Sequence, residues 1–191
     1  KRLILVPSHT SRGCPHRCTF CINVIVKDCW RSMSPLRVLE DIRSLQDIHE
    51  FRNKPVRFWD ENFFVKKKRA SAILQGIVDE DLDFEWETTV RADYFGPKNI
   101  DDEFLDLIKR SGCYKLSFGA ESGSPRILDR IQKDCTVDQI VHSAEQCAKH
   151  GITPEYSFMI GLPGETVEDM EMTISLLDRL RRVYGKTEFL G

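Results

Sequence analysis

The chain has 191 residues, of which 41% are hydrophobic, so it can bury one sizeable core and has the usual length of a single domain. Its formal net charge of −2 at pH 7 excludes a global electrostatic attraction to nucleic acid or to an anionic membrane surface. No stretch approaches the roughly 18 consecutive apolar residues of a membrane span, and no secretory signal is visible. The sequence therefore predicts a soluble, cytoplasmic protein with no evident nucleic-acid or membrane partner, and any polyanionic partner would need a local basic patch.

Short apolar runs alternate with longer segments of helical period, as in repeated βα units. In chain order we predict a strand over Leu3–Val6, a polar loop over Ser8–Cys21, a helix from Ser34, a strand over Val56–Trp59, a helix near Ala70–Val78, a strand over Phe84–Val90, a helix over Asp101–Ser111, a strand over Tyr114–Phe118, helices from Ser124 and Thr136, a strand over Pro154–Ile160, a helix from Thr166 through Leu180, and a final strand from Thr187. The sequence therefore predicts an α/β fold, a partial (β/α)6 TIM-type barrel with parallel strands and outer helices, truncated near strand six.

Several predicted helices begin with capping signals. Ser34 precedes a proline at the first helical position, and Thr136 with Gln139 and Thr166 with Asp169 have the spacing of a capping box. In barrels built from βα units, the loops after the carboxyl ends of the strands form the active site. Functional residues are therefore expected in those loops.

Three of the seven cysteines, Cys14, Cys18 and Cys21, lie within eight residues of the loop after the first strand. An odd number of cysteines with three crowded together does not resemble a secreted disulfide framework. Thiolates at these spacings bind soft metals. Three cysteines can hold a [4Fe–4S] cluster and leave one iron open to an external chelator, whereas zinc would take a fourth ligand such as His9 or His16. The spacing alone leaves both metals open.

The segment from Ser11 to Cys21 reads SRGCPHRCTFC, and it resembles the Cys-x3-Cys-x-aromatic-Cys signature of the radical S-adenosylmethionine (SAM) superfamily. The resemblance implies that Cys14, Cys18 and Cys21 ligate a [4Fe–4S] cluster whose free iron binds the amino and carboxylate groups of SAM. It implies an enzyme that reductively cleaves SAM to a 5′-deoxyadenosyl radical, which abstracts hydrogen from a substrate. By the same analogy, Phe20 lies beside the adenine.

The resemblance also assigns cofactor-binding residues to the next two predicted strand ends. Asp60, Glu61 and Asn62 occupy the place of the family's Gly-Gly-Glu segment, which receives the SAM amino group, although the glycines are absent here. Arg91 follows the third strand and can pair with the SAM carboxylate through its planar guanidinium. An internal ion pair between Arg91 and Glu87 is the structural alternative, because a charge inside a barrel is costly unless it is paired.

Two further strand ends carry residues that resemble the family's nucleoside-binding segments. Glu121 and Ser122 stand in the ribose-contacting segment, where they can share hydrogen bonds with hydroxyl or amino groups. Gly161 and Glu165 belong to a Gly-Leu-Pro-Gly-Glu turn similar to the family's adenine segment, in which glycine lets backbone approach the nucleoside. Without the resemblance, this stretch would be read only as strand-to-helix turns and a helix cap at Ser124.

Within the superfamily, the chain looks most like the branch in which a cobalamin-binding domain precedes the radical SAM core. The segments with this likeness are Val6-Pro7-Ser8, Trp30-Arg31-Ser32, Asp60 to Phe63, and Arg91-Ala92-Asp93. The resemblance implies that residues 1–191 are a core fragment, with a cobalamin domain and a C-terminal region outside it. It also implies a methyltransferase or cyclase acting on a small-molecule substrate, with cobalamin as a further cofactor and a flavodoxin or ferredoxin as electron donor.

Two alternatives accompany this interpretation. The first is a radical SAM methylthiotransferase, which needs a second cluster, but Cys29, Cys113, Cys135 and Cys147 are scattered and form no evident second triad. The second is a zinc-stabilised interaction module without catalysis. Metal content separates the second alternative from the enzyme.

Overall fold

The computed structural model describes residues 5–26, 29–51 and 54–190. In chain order its elements are β1 (Val6–Ser8), β2 (Ser11–Arg12), α1 (Ile22–Val26), β3 (Arg31–Ser32), α2 (Pro35–Asp47), β4 (Val56–Phe58), α3 (Lys67–Asp79), β5 (Trp86–Val90), a short 3-10 turn (Ala92–Tyr94), α4 (Asp102–Arg110), β6 (Cys113–Glu121), α5 (Pro125–Arg130), α6 (Val137–Lys149), β7 (Thr153–Phe158), α7 (Val167–Val183) and β8 (Glu188–Leu190). None of the helices in these ranges is long and apolar enough to cross a membrane.

Six strands form one sheet in the order β1-β4-β5-β6-β7-β8, and every neighbouring pair is parallel. Each new strand lies directly beside the preceding strand of the sheet, which is how repeated βα units build a barrel wall. The predicted α/β fold, a partial (β/α)6 parallel sheet with helices around it, is therefore confirmed. The sequence predicts the first strand over Leu3–Val6, but the described strand is Val6–Ser8, and residues 3 and 4 lie outside the described residues.

One face of the sheet packs against the helices and forms the core. Successive strand residues point to opposite faces, so the apolar residues of each strand fall on the same side. Phe58 and Trp86 contact each other across β4 and β5 with ring centroids 5.4 Å apart, and Phe118 stacks on Tyr156 across β6 and β7 at 4.9 Å. All four side chains are at most 1% exposed. The apolar periodicity of the strands thus fixes which face the helices cover.

The opposite face, here called the inner face, carries the charged side chains Arg57, Glu87, Lys115 and Glu155. Arg57 pairs with Glu87 at 2.8 Å, and Lys115 pairs with Glu87 at 3.4 Å and with Glu155 at 3.1 Å. The ion pair between Glu87 and Arg91, which was the structural alternative, is not formed, because Glu87 pairs with Arg57 and Lys115 while Arg91 pairs with Asp93 at 2.8 Å. The inner face is therefore a polar surface whose charges neutralise one another.

The helix starts agree with the capping signals in the sequence. The Ser34 hydroxyl accepts a hydrogen bond from the Arg37 amide at 3.3 Å. Both reciprocal bonds of a capping box are present at Thr136 with Gln139 and at Thr166 with Asp169. These caps satisfy amide groups that the first turn of a helix leaves without partners, so they fix where α2, α6 and α7 begin.

Candidate active site

A cavity of about 370 Å³ lies on the inner face, at the carboxyl ends of the parallel strands. Its lining combines side chains from the cysteine loop, from three strand ends and from the strands beneath. The lining residues include Cys14, Cys18, Phe20, Cys21, Glu61, Arg91, Glu121, Lys133, Ser117, Glu155 and Ser157. The loops at this end of the sheet were the predicted location of functional residues.

The cysteines lie on the segment between β2 and β3, here called the cysteine loop. These two strands pair antiparallel, with Ser11 opposite Ser32, so the two ends of the loop are held together. Within the loop, the Cys21 amide donates to the Cys18 carbonyl at 3.0 Å, and the Thr19 amide donates to the Ile131 carbonyl at 2.9 Å. The loop is thereby attached to the chain segment that follows α5.

The three thiols have unequal surroundings. Cys18 is buried, whereas Cys14 and Cys21 are partly exposed. The Arg91 Nη1 donates to Cys18 Sγ at 3.6 Å. Burial raises the pKa of the Cys14 thiol, and the His16 amide and the positive charge of Arg91 act in the opposite direction. A cation beside these sulfurs favours the thiolate form that metal ligands require.

The donor set fits a cluster held by three thiolates. Among the described residues, no three His, Cys, Asp or Glu side chains are already gathered as a metal site, and the three thiols instead share one cavity. His16 Nε2 is hydrogen-bonded to the Tyr94 hydroxyl at 2.8 Å, and His9 lines a different groove, so neither is presented as a fourth ligand. Three soft sulfur ligands with no fourth protein ligand suit a [4Fe–4S] cluster with one open iron.

Four of the predicted SAM-binding residues lie in the cavity lining: Phe20, Glu61, Arg91 and Glu121. Phe20 is 41% exposed at the cavity. Glu61 accepts a hydrogen bond from the Gly13 amide at 3.1 Å, which joins it to the cysteine loop. The fold thus brings together side chains that follow three different strands in the sequence.

Arg91 is extensively engaged within the protein. Its Nε donates to Asp93 Oδ1 at 2.8 Å, and its Nη2 donates to the backbone carbonyls of Lys133 and Asp134, the latter at 3.4 Å. With the contact to Cys18, these bonds occupy most of the guanidinium. Arg91 therefore joins the cysteine loop to the segment after α5 as well as lining the cavity.

Three residues with predicted cofactor contacts have side chains outside the lining. The Asp60 carboxylate, 2% exposed, accepts hydrogen bonds from Thr10 and Ser11. Asn62 and Ser122 are both fully buried, the first donating to Tyr94 and the second hydrogen-bonded to Thr173 of α7. Glu61 and Glu121 line the cavity, whereas the side chains of these neighbours are buried in the protein interior.

Gly161 and Glu165 also stand apart from the cavity. The Glu165 carboxylate accepts from the Gly161 amide at 2.5 Å and from the Leu162 amide at 3.1 Å, so it closes its own turn. Gly161 has φ +86°, and a Cβ there would meet no atom within 4 Å. Glycine is required by the left-handed backbone of the turn rather than by a close approach.

Lys133 is a lining residue that sequence reasoning misses. It is 8% exposed, and its Nζ lies 2.9 Å from Glu121 Oε1 and 5.8 Å from the centre of the Phe20 ring. Glu121 has φ +66°, a strained conformation of the kind that is common at functional sites. A lysine is rarely buried without a charge partner, but that partner is set by the fold and leaves no local signal in the sequence.

The cavity offers groups that suit a zwitterion beside soft metal ligands. Glu61 and Glu121 provide carboxylates, and Arg91 and Lys133 provide cations, all facing one space. Charged groups in a cavity with limited water interact more strongly than they do in bulk solvent. The site can therefore hold an amino group and a carboxylate of one ligand in fixed positions next to the thiols.

Comparison with known proteins agrees with this site. Residues 8–177 match the family model of the Radical SAM superfamily. An uncharacterized methyltransferase of Pyrococcus horikoshii is 37% identical over 93% of this chain and 37% of that protein. A mitochondrial tRNA methylthiotransferase of Mus musculus is 27% identical over 96% of this chain and 36% of that protein.

A solved structure shares the fold. The radical SAM methyltransferase TsrM from Kitasatospora setae, with cobalamin and a [4Fe–4S] cluster bound, superposes with a TM-score of 0.78 at 21% identity, over 92% of this chain and 32% of that chain. The chain thus spans about a third of the length of each of these three proteins. With a family model covering most of its length, the chain belongs to the radical SAM superfamily.

Proposed function

We propose that this chain is the radical-generating core of a radical SAM enzyme, in which Cys14, Cys18 and Cys21 hold a [4Fe–4S] cluster. The observation that carries the proposal is one cavity that combines these three thiols with three carboxylates and three cations. When bound, the cluster supplies an open iron for SAM and the electron that cleaves its sulfonium bond, giving a radical that abstracts hydrogen from substrate.

The protein side chains bind and orient SAM. Lys133 is the cation for the SAM carboxylate, because Arg91 is occupied by Asp93, Cys18 and two carbonyls. Glu121, which already lies 2.9 Å from the Lys133 ammonium, accepts hydrogen bonds from the amino group or from ribose hydroxyls. Phe20 packs beside the adenine. Arg91 keeps its predicted place in the site, but it acts mainly by holding Cys18 and the Lys133 backbone.

The proposal is tested by replacing each cysteine of the triad with alanine in the full-length protein. After anaerobic reconstitution with iron and sulfide, 5′-deoxyadenosine formed from SAM and dithionite is measured by chromatography. Cys14→Ala, Cys18→Ala and Cys21→Ala are expected to reduce the product to background. Cys135→Ala is the matched control, because this thiol belongs to the hydrophobic core and not to the cavity lining. Product from Cys18→Ala at the control level would contradict the ligand assignment.

The reaction that follows radical formation is proposed to be a cobalamin-dependent methyl transfer. Support comes from the methyltransferase that is 37% identical and from the shared fold of a methyltransferase solved with cobalamin. The cobalamin would be held by a domain outside these 191 residues. The test is the cobalamin content of the full-length protein, together with transfer of a labelled methyl group from SAM to a product. A protein that excludes cobalamin at every stage of purification would refute this part.

Methylthiotransfer is the second candidate, because relatives with that activity match nearly the whole chain. It requires a second cluster, which doubles the iron from about four to about eight per protein. Within these 191 residues the cysteines outside the triad offer no second ligand set, since Cys113, Cys135 and Cys147 are buried and Cys29 is exposed, so the ligands of a second cluster would have to come from outside them. Iron quantification on the full-length protein separates the two reactions.

The proposal includes a small-molecule substrate and an external electron donor. SAM cleavage consumes an electron, so a low-potential carrier such as a flavodoxin or ferredoxin is expected to replace dithionite. Thiolate ligands and a reduced cluster require a reducing compartment, and we therefore propose that the protein acts in the cytoplasm. Activity that dithionite supports and that neither carrier supports would contradict the choice of donor.

A further inference from the structure

The three polar residues after β4 all reach toward the cysteine loop, and two of them do so from outside the cavity lining. We propose that Asp60 and Asn62 are positioning residues that brace residues 9–18, which include the first two cysteines of the cysteine loop, for cluster binding. This inference rests on the proposed function, because it concerns how the chain holds its cluster. It gives the segment a role different from the SAM contact that its position in the sequence predicts.

Asp60 holds the start of the loop through both carboxylate oxygens. Oδ1 accepts from the Thr10 amide at 2.7 Å, while Oδ2 accepts from the Thr10 hydroxyl at 2.6 Å and the Ser11 hydroxyl at 2.5 Å. The carboxylate is almost entirely buried. A buried carboxylate needs such donors, and the donors are held in place in return. The hydrogen bonds of the Asp60 carboxylate are therefore made to the start of the loop.

The opposite side of Thr10 is held as firmly. Its carbonyl accepts from Arg69 Nη2 at 2.6 Å and from the Met33 amide at 2.9 Å, and Arg69 Nε also donates to the Met33 carbonyl at 2.9 Å. Thr10 is fully buried, and its amide, hydroxyl and carbonyl all have partners. The strand before the cysteines and the strand after them are thus joined at one residue, four positions before Cys14.

Asn62 reaches the middle of the loop through a bridging hydroxyl. Its Nδ2 donates to the Tyr94 hydroxyl at 2.9 Å, and that oxygen is hydrogen-bonded to His16 Nε2 at 2.8 Å. His16 lies between Cys14 and Cys18. Asp60 and the carboxylate after it thus bond directly to residues 10–11 and 13, and Asn62 reaches residue 16 through the Tyr94 hydroxyl.

A braced loop changes how tightly the cluster is held. Ordering backbone costs about 1–2 kcal/mol per residue, and a loop that is already ordered does not incur that cost when the ligands close on the cluster. Loss of the brace should therefore speed cluster loss. It should leave the affinity for SAM of the remaining loaded protein unchanged, because Asp60 and Asn62 are outside the cavity lining.

The test compares Asp60→Asn, Tyr94→Phe and the control Asp138→Asn in full-length protein. Asp138 is a matched control because its side chain is 89% exposed and pairs with Arg179 of α7 rather than with the loop. After anaerobic reconstitution, the rate of iron transfer to a coloured chelator is measured. Asp60→Asn is expected to lose iron at least about tenfold faster than the control, since a charge-assisted hydrogen bond contributes enough for a tenfold change. Tyr94→Phe is expected to give a smaller increase and serves if Asp60→Asn does not fold.

Two further readouts separate the brace from other roles. In metal-free protein, hydrogen exchange should accelerate within residues 9–18 and not in β5, β6 and β7. SAM affinity of the loaded fraction should match the control. Equal iron loss in Asp60→Asn and Asp138→Asn would overturn the inference, and so would reduced SAM affinity with normal iron retention or faster exchange throughout the sheet. If wild-type protein takes up no iron, the proposed function fails, whereas the exchange of metal-free protein still tests the brace.

Discussion

Replacement of Gly119 by alanine is a local test of the cavity. Gly119 lies on the inner face of β6, two residues before Glu121. A Cβ at this position would stand 2.2 Å from Glu121 Oε1 and 2.8 Å from Lys133 Nζ, both at the ends of flexible side chains. The new methyl group would therefore displace the Glu121–Lys133 pair and leave the backbone in place.

The size of the expected effect follows from these distances. Ordinary contact begins near 3.4 Å, so the carboxylate oxygen must move by about 1 Å. A misplacement of about 1 Å in a group that positions substrate can lower a rate on the order of 100-fold. Stability should change by less than about 1 kcal/mol, because alanine is accepted in a strand and the displaced ends can shift, which limits the change in Tm to roughly 4 °C.

The assay measures SAM affinity, 5′-deoxyadenosine formation and thermal unfolding on the full-length variant. Gly185→Ala is the control, since a Cβ there meets no atom within 4 Å. Gly119→Ala is expected to bind SAM more weakly and to form product 10- to 100-fold more slowly than the control, on the order-of-magnitude basis above. Unchanged SAM affinity and rate in a normally folded Gly119→Ala protein would refute the role of the Glu121–Lys133 pair.

Three further predictions concern the frame of the site. Arg91→Lys should lower the free energy of unfolding by about 2 kcal/mol and also lower cluster retention, because lysine cannot reproduce the bonds to Asp93, Cys18 and two carbonyls. Urea unfolding measures the first effect and iron content the second, and wild-type values of both would contradict this prediction. Gly112→Ala should cost at least about 2 kcal/mol in urea unfolding, since φ is +94° and the Cβ would lie 2.2 Å from the rigid Phe84 carbonyl; a loss no larger than that of Gly185→Ala would refute it. Ser124 and Arg126 donate to Asp169 and hold its pKa well below the usual range, so its contribution is complete above the unfolded pKa of about 3.9 and is lost as the pH falls below that value. The Tm of wild-type protein should therefore fall more steeply between pH 6 and pH 3 than the Tm of Asp169→Asn. Parallel curves of Tm against pH would be inconsistent with this linkage.

The fold was largely predictable because periodicity and caps are local signals. The alternation of apolar residues and the caps at Ser34, Thr136 and Thr166 identify most strands and helix starts. The short strands Ser11–Arg12 and Arg31–Ser32 escape prediction, because two residues are too few for a period and their pairing joins distant parts of the chain.

The sequence predicts where the site lies better than it predicts which side chains face the cavity. Cysteine spacing and residue types at the strand ends lead to the correct loops. They do not show which of two adjacent side chains faces the cavity, as with Asp60 beside Glu61 or Ser122 beside Glu121. Lys133 is missed because its burial depends on contacts across the fold.

The most direct test of the central claim is the metal content of the full-length protein together with SAM cleavage. Anaerobically reconstituted protein is expected to bind about four irons with sulfide at the Cys14, Cys18 and Cys21 triad and to form 5′-deoxyadenosine on reduction. A colourless zinc protein that takes up no iron and leaves SAM intact would contradict the account.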